Sequence, residues 1–210
     1  MTRAADLERA AAVLSAGGVV VYPTETVYGL GADAGSTTAL ARLLELKGRD
    51  AAKGIAVLVA TIDEAAALVA AEIPQGARTL ATAFWPGPLT IVVPASPAVA
   101  PAIVGVAGGV GLRCTSDPVA GALLARFGRP LTSTSANPSG RRPAVTVGEA
   151  HAYFGARVDA YVDGGSRADR APSSVVEFLG ERAYLRRAGA IDLAALRSVV
   201  DVANVRPEGD

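Results

Sequence analysis

Histidine, cysteine and lysine are almost absent from this chain. Its 210 residues hold one histidine, His151, and one cysteine, Cys114. Of its 20 basic side chains only Lys47 and Lys53 are lysine, so 18 are arginine. One histidine and one cysteine exclude a Cys/His metal cage and leave Cys–His catalysis a single implausible pairing. His151, early in a predicted helix, reads as a half-exposed structural residue. A lone cysteine permits no internal disulfide and fits a reducing cytoplasm. Aromatics are 5% of the chain and the net charge is zero. There is thus no stacking platform and no broad positive field to draw in nucleic acid, and any anion site must be local. Apolar runs stop far short of the ~20 residues that a membrane span needs. The opening stretch "MTRAADLERAAAVLSAGG" lacks a cleavable signal pattern. No phosphate-binding G-x-x-x-x-G-K-[ST] loop occurs, and "GLGADAG" lacks the spacing of a dinucleotide fingerprint. These absences predict a soluble cytoplasmic protein that makes no membrane contact.

What is present is half hydrophobic and alternates between helical and strand periods. Helices are predicted over 4–16, from a Ser36 cap to Leu46, from a Thr61–Glu64 capping box to Ala71, and from Pro74 to just before Pro86. Further helices run from Asp117-Pro118 to Phe127, from Thr146 to Phe154 and from Asp192 to Val200. Strands are predicted at 18–22, 55–60, 89–93, 110–113 and into Leu131, with a hairpin near 175–187. The expectation is an α/β fold: one open, twisted sheet covered by helices, made mixed by the hairpin. No linker divides the chain, so a single domain over 1–204 with a loose tail over 205–210 is expected.

The informative residues gather at strand ends. "VVVYPTETVYGL" leaves a buried strand in two threonines, and alternation groups Thr24, Thr26 and Tyr28. "PLTSTSANPSG" sets four hydroxyl residues before Asn137, and alternation sends Ser133, Ser135 and Asn137 to one side and Thr132 and Thr134 to the other. Such uncharged donors suit a polyanion; they also suit a turn that caps its own backbone. Arg113 ends a strand among apolar neighbours and needs an anionic partner, either Asp117 or a substrate carboxylate. In "YLRRAGAI" one of Arg186 and Arg187 should face inward. The surviving lysines, six apart in "LKGRDAAKG", suggest that a compact ammonium is required there, since arginine is a rigid fork. Five polar strand ends in one small sheet predict a ligand crevice.

Seven stretches, in their order and spacing, resemble the YrdC-like family of L-threonylcarbamoyladenylate synthases. They are "GGVVVYPTETVYGLGADA", "LKGRDAAKG", "FWPGPLTIVV", "GVGLR", "PLTSTSANPSG", "SSVV" and "LRRAGAI". The Lys-x-Arg…Ser-x-Asn signature is Lys47-Gly48-Arg49 and Ser135-Ala136-Asn137. The resemblance implies a YrdC-like fold around a concave, positively charged cavity. It also implies formation of threonylcarbamoyl-AMP and pyrophosphate from L-threonine, bicarbonate or CO2, and ATP. The product would serve N6-threonylcarbamoyladenosine modification of tRNA through a separate transferase complex.

Carried over by position, Thr26, Ser135 and Ser173 contact threonine and Arg113 holds its carboxylate. Arg49, Lys53, Asn137, Thr146 and Arg187 line the ATP site, with Lys47 near the phosphates or the carbamate. Lys47 and Arg49 are the catalytic candidates. Mg2+ is expected with ATP, with no tightly bound cofactor and no protein metal site. The chain departs from the family at Leu58, where many members carry a threonine-contacting histidine, at Asp50 and at Ala188, both usually proline. It resembles the short form that lacks an extra C-terminal domain. The competing reading is a non-catalytic RNA-binding module that uses the same cavity. A carbamoyl-adenylate enzyme of hydrogenase maturation is a further rival, and it would carry zinc-finger and acylphosphatase-like regions that this sequence lacks.

Overall fold

Two sheets share one chain, and the boundary between them creates the site. The computed structural model describes residues 4–48, 54–105 and 107–204. The expected tail after Asn204 lies outside them. In chain order the elements are α1 (Ala4–Ser15), β1 (Val20–Pro23), β2 (Tyr28–Gly31), α2 (Thr37–Lys47), β3 (Val57–Leu58) and α3 (Ile62–Ala66). There follow α4 (Gln75–Phe84), β4 (Leu89–Pro94), β5 (Gly109–Arg113), α5 (Pro118–Phe127), β6 (Leu131–Thr132) and β7 (Thr134–Ser135). The chain continues through α6 (Val147–Phe154), β8 (Ala160–Tyr161), β9 (Ser174–Leu179), β10 (Arg182–Arg187), α7 (Leu193–Arg197) and β11 (Val202–Asn204).

The smaller sheet runs β7-β2-β1-β8 and the larger β11-β10-β9-β4-β5-β3-β6. Both mix parallel and antiparallel pairs. The mixed α/β character is as the sequence predicts, but the strands divide between two sheets. β6 and β7 are where the division occurs. β6 pairs with β3 in the large sheet, the chain turns at Ser133, and β7 pairs with β2 in the small one.

Local chemistry explains most element boundaries. The Ser36 hydroxyl accepts from Ala39 N, and Gly48 ends α2 in the left-handed conformation with φ 61°, where glycine carries no Cβ penalty. Asp117 caps α5 by accepting from Val119 N and Ala120 N, and Pro118 takes the first turn. Thr61 caps α3 as predicted, yet the helix stops at Ala66 rather than Ala71. α7 likewise ends at Arg197, short of Val200. The hairpin β9–β10 carries a bulge between Leu185 and Arg187, and bulges re-aim side chains at sheet rims.

β2, over "YGLG", is not among the strands that the sequence predicts. Gly29 and Gly31 lie opposite Tyr22 and Val20 in the antiparallel pair. A Cβ on Gly31 would sit 2.6 Å from Tyr22 Cε1, and one on Gly29 would sit 3.1 Å from the same ring. The glycines make room for a wholly buried tyrosine whose hydroxyl donates to the Thr132 carbonyl at 2.9 Å.

One core fills the space around the large sheet and the inner face of β1–β2, through residues such as Val21, Leu30, Leu43, Leu89, Ile91 and Phe178. A second packs α1 and α5 on the other face, through Leu7, Leu14, Leu123 and Phe127 with Val20 and Tyr22. Leu58 belongs to this second core and is wholly buried there. No helix among the described residues is long and apolar enough to cross a membrane.

Candidate active site

A hollow of about 400 Å³ opens at the seam between the sheets. The β1–β2 turn and β7 supply one wall, with Thr24, Thr26, Gly29 and Ser135 among its residues. The strands of the large sheet supply the other, with Thr90, Gly111, Arg113 and Ser173. Arg187 reaches in from the solvent-exposed end of β10. Five residues expected from the sequence therefore meet in one place: Thr26, Arg113, Ser135, Ser173 and Arg187. The described lining includes two arginines and no carboxylate, so the hollow favours an anionic guest.

Thr24 and Thr26 act as a pair. Their hydroxyl oxygens lie 3.0 Å apart, and the Thr24 hydroxyl donates to the Val27 carbonyl at 2.7 Å. Tyr28 is anchored behind them, donating to the Gly165 carbonyl at 2.9 Å and to Asp163 Oδ1 at 3.2 Å. The three residues that alternation groups do share the cavity wall. Alternation fails one segment later. Ser133, Thr134 and Ser135 all line the hollow because the chain changes sheets at Ser133. Thr132 faces away and its hydroxyl accepts from Ala32 N at 2.8 Å.

Arg113 pairs with Glu25, not with Asp117. Its Nε donates to Glu25 Oε1 at 3.1 Å, and its Nη2 lies 2.8 Å from the same oxygen. That Nη2 is buried yet has no aligned hydrogen-bond acceptor among the described residues. The second Glu25 oxygen accepts from the Thr115 hydroxyl at 2.6 Å. Burial would lift the Glu25 carboxyl, but the Arg113 charge and the hydrogen bonds of Arg113 and Thr115 outweigh it and hold the group below its ordinary 4.5. Asp117 instead meets Arg167, at 2.7 Å.

The bulge in β10 settles which of the two arginines turns inward. Arg186 turns to Glu177, while Arg187 donates to the Ser173 carbonyl at 3.0 Å and to its hydroxyl at 2.8 Å. Ser173 also shares a hydrogen bond with Thr90, 3.1 Å away. Burial first, and the neighbouring Arg113 charge second, lower the pKa of Arg187. A guest anion would relieve that repulsion between like charges.

Three expected residues stand outside the lining. Lys47 is buried at the end of α2, where its ammonium donates to the Ser135 carbonyl at 2.6 Å and to Asn137 Oδ1 at 3.3 Å. Asn137 is buried too, and its amide donates to the carbonyls of Pro138 and Arg141 at 2.9 and 2.8 Å. Both brace the loop that carries Ser135. Thr146 caps α6, accepting from Glu149 N at 3.2 Å. Arg49 and Lys53, with Asp50, lie outside the described residues. Leu58, expected to replace a substrate-contacting histidine, packs in the α1–α5 core away from the hollow, where β3 turns its side chain to the opposite face.

Sequence reasoning passed over Thr90, Glu25, Thr115 and Arg167. Glu25 was legible in principle as the only charged residue in the "YPTETVYGL" stretch. Among the described residues no group of three acidic, histidine or cysteine side chains could hold a metal ion.

Comparison with known proteins joins these observations. The Sua5/YciO/YrdC family model, described as "Telomere recombination", matches residues 12–189. The chain belongs to the Sua5/YciO/YrdC family. Its relatives include a threonylcarbamoyl-AMP synthase of Halorhodospira halophila, 44% identical over 186 residues that cover 89% of this chain and 96% of that protein. Among solved structures the family fold recurs in Pyrococcus abyssi Sua5 complexed with L-threonine, with a TM-score of 0.88 and 32% identity over 94% of this chain. The chain spans 58% of the length of that Sua5. Escherichia coli YciO shares the fold with a TM-score of 0.79 at 23% identity, over 90% of this chain and 92% of its own.

Proposed function

We propose that this chain is a threonylcarbamoyl-AMP synthase, an enzyme that forms L-threonylcarbamoyladenylate and pyrophosphate from L-threonine, bicarbonate or CO2, and ATP. The observation that carries the reading is the meeting of Thr26, Arg113, Ser135, Ser173 and Arg187 in one hollow, in a chain whose relatives bear that name. The same relatives support the catalytic reading over an RNA-binding module.

The chemistry suits the residues. The threonine amine adds to CO2, loses a proton and becomes a carbamate. A carbamate oxygen then attacks the α-phosphorus of ATP, a new O–P bond forms, and the bond to the β-phosphate oxygen breaks to release pyrophosphate. Two anions must approach, so the protein's work is positioning and charge neutralisation. Alignment of the reactants alone accounts for up to ~7–11 kcal/mol of barrier. In this reading Arg113 takes the threonine carboxylate, the Thr26, Ser135 and Ser173 hydroxyls orient the amino acid, and Arg187 takes nucleotide phosphate. Asn137 and Lys47 hold the hydroxyl loop against the nucleotide side, and Thr146, Arg49 and Lys53 belong to that side by the positions carried over from the family resemblance. Mg2+ enters with ATP as part of the substrate. The product passes in the cytoplasm to a transferase complex acting on tRNA.

The test is pyrophosphate release with each reactant omitted in turn. Release that requires ATP, L-threonine and bicarbonate together is expected. Release indifferent to threonine would overturn the assignment.

A further inference from the structure

Arg113 is a long side chain at a strand end, and what fixes its guanidinium is not in the hollow. Glu25 is absent from the lining, whereas Arg113 and the flanking Thr24 and Thr26 are part of it. It is nearly buried, with its side chain 10% exposed against 7% for Arg113. Both of its oxygens are engaged, Oε1 with Arg113 and Oε2 with the Thr115 hydroxyl. Thr115 in turn accepts from Asp117 N at 3.2 Å, and the Asp117 carboxylate meets Arg167. Arg167 Nε donates to the Thr24 carbonyl at 2.6 Å, which returns to Glu25 through one peptide bond. The contacts close a ring that ties the threonine turn to the end of β5.

A carboxylate saturated in this way cannot swing into the hollow to act on substrate. Nor does it take Arg113 out of the site: Nε and Nη2 both turn to one Glu25 oxygen, and the residue still lines the hollow. We propose that Glu25 is a positioning residue: by clamping Arg113 from behind it presents the guanidinium to the carboxylate of the bound amino acid, and so sets the affinity for that substrate and not for the nucleotide. This rests on the role of Arg113 in the function proposed above. An adjacent carboxylate also tempers the positive charge of Arg113, which limits its repulsion of Arg187 across the hollow.

The experiment is calorimetric titration of the full chain with L-threonine, and separately with MgATP, for wild type, Glu25→Gln and Thr115→Val. Glutamine has the same shape but cannot accept from both partners as an anion. Glu25→Gln is expected to weaken L-threonine binding at least about tenfold, the factor given by one lost charge-assisted hydrogen bond, with MgATP affinity within about twofold of wild type. Thr115→Val keeps the charge and is expected to weaken L-threonine binding about threefold through a looser carboxylate. Unchanged threonine affinity in Glu25→Gln, or equal losses for threonine and MgATP, overturns the proposal. Should Glu25→Gln fail to fold, Thr115→Val decides, and unchanged threonine affinity in that variant overturns it. Wild-type protein that does not bind L-threonine would overturn the assignment of the hollow itself, and with it the role given to Glu25.

Discussion

Arg167 and Asp117 form an ion pair 2.7 Å across, with side chains 8% and 4% exposed. The pair joins the loop after β8 to the N-terminus of α5, where the other Asp117 oxygen caps the helix. Arg167 is nearly saturated with acceptors, since it also donates to Thr24 and to the Gly164 carbonyl at 2.7 Å.

Removing one partner of such a pair leaves an uncompensated buried charge. Arg167→Ala is therefore expected to destabilise the protein by about 3–5 kcal/mol. Urea denaturation followed by circular dichroism reads this, and a loss under about 1 kcal/mol would contradict the burial argument.

Lys47 tests whether a compact ammonium is required. Its pocket ends at the Ser135 carbonyl and Asn137 Oδ1, and the residue is 3% exposed. A guanidinium is wider and planar, so Lys47→Arg is expected to cost about 1–3 kcal/mol through overpacking. It should also slow pyrophosphate release by displacing Ser135. Thermal unfolding and the turnover assay together check this, and a variant equal to wild type in both would show that the position tolerates either cation.

Two glycines should respond oppositely to alanine. Gly31→Ala drives a methyl group into the Tyr22 ring, with 2.6 Å to Cε1 and 3.0 Å to the Leu131 side chain. A loss of about 1–3 kcal/mol is expected. Gly121, inside α5, has nothing within 4 Å of the position a Cβ would take, and Gly121→Ala should add about 0.4–1 kcal/mol by restricting the unfolded chain. Melting temperatures of the two variants decide the point.

Glu25 gives the stability a pH dependence of fixed sign. Its carboxyl titrates lower in the folded protein than its ordinary 4.5, so the unfolded chain binds the proton first as pH falls. The stabilisation is fully present above about 4.5 and is lost as pH drops through the folded value. Asp159, lowered because its bonds to Arg42 and Val19 N outweigh burial, adds a further loss that begins below its ordinary 3.8. Melting temperature should be flat from about pH 7 to 5 and fall below about 4.5, with a shallower fall in Glu25→Gln.

Much of this architecture can be read from the chain alone because its signals are local. Ser36, Thr61, Asp117, Thr146 and Asp192 each cap the helix that their spacing announces. What escapes is set by residues far apart in sequence. β2 goes unpredicted because its glycines make sense only against Tyr22, and β11 exists only because β10 offers it an edge. The partner of Arg113 lies 88 positions away at Glu25, whereas the nearer Asp117 is already committed to Arg167. Asn137 reads as a ligand-facing amide and turns out to spend its hydrogen bonds on Lys47 and its own loop. The convergence of hydroxyls on one hollow was legible, but the clamp behind them was not.

The crossing at Ser133 places three successive hydroxyl side chains on a common wall only because the backbone exchanges neighbours there. Loss or gain of one residue between Leu131 and Ser135 would slip one sheet's register against the other and point a different subset of oxygens inward. Spacing across this joint is therefore under tighter constraint than the identity of any one serine or threonine, and length variation in the chain should fall elsewhere.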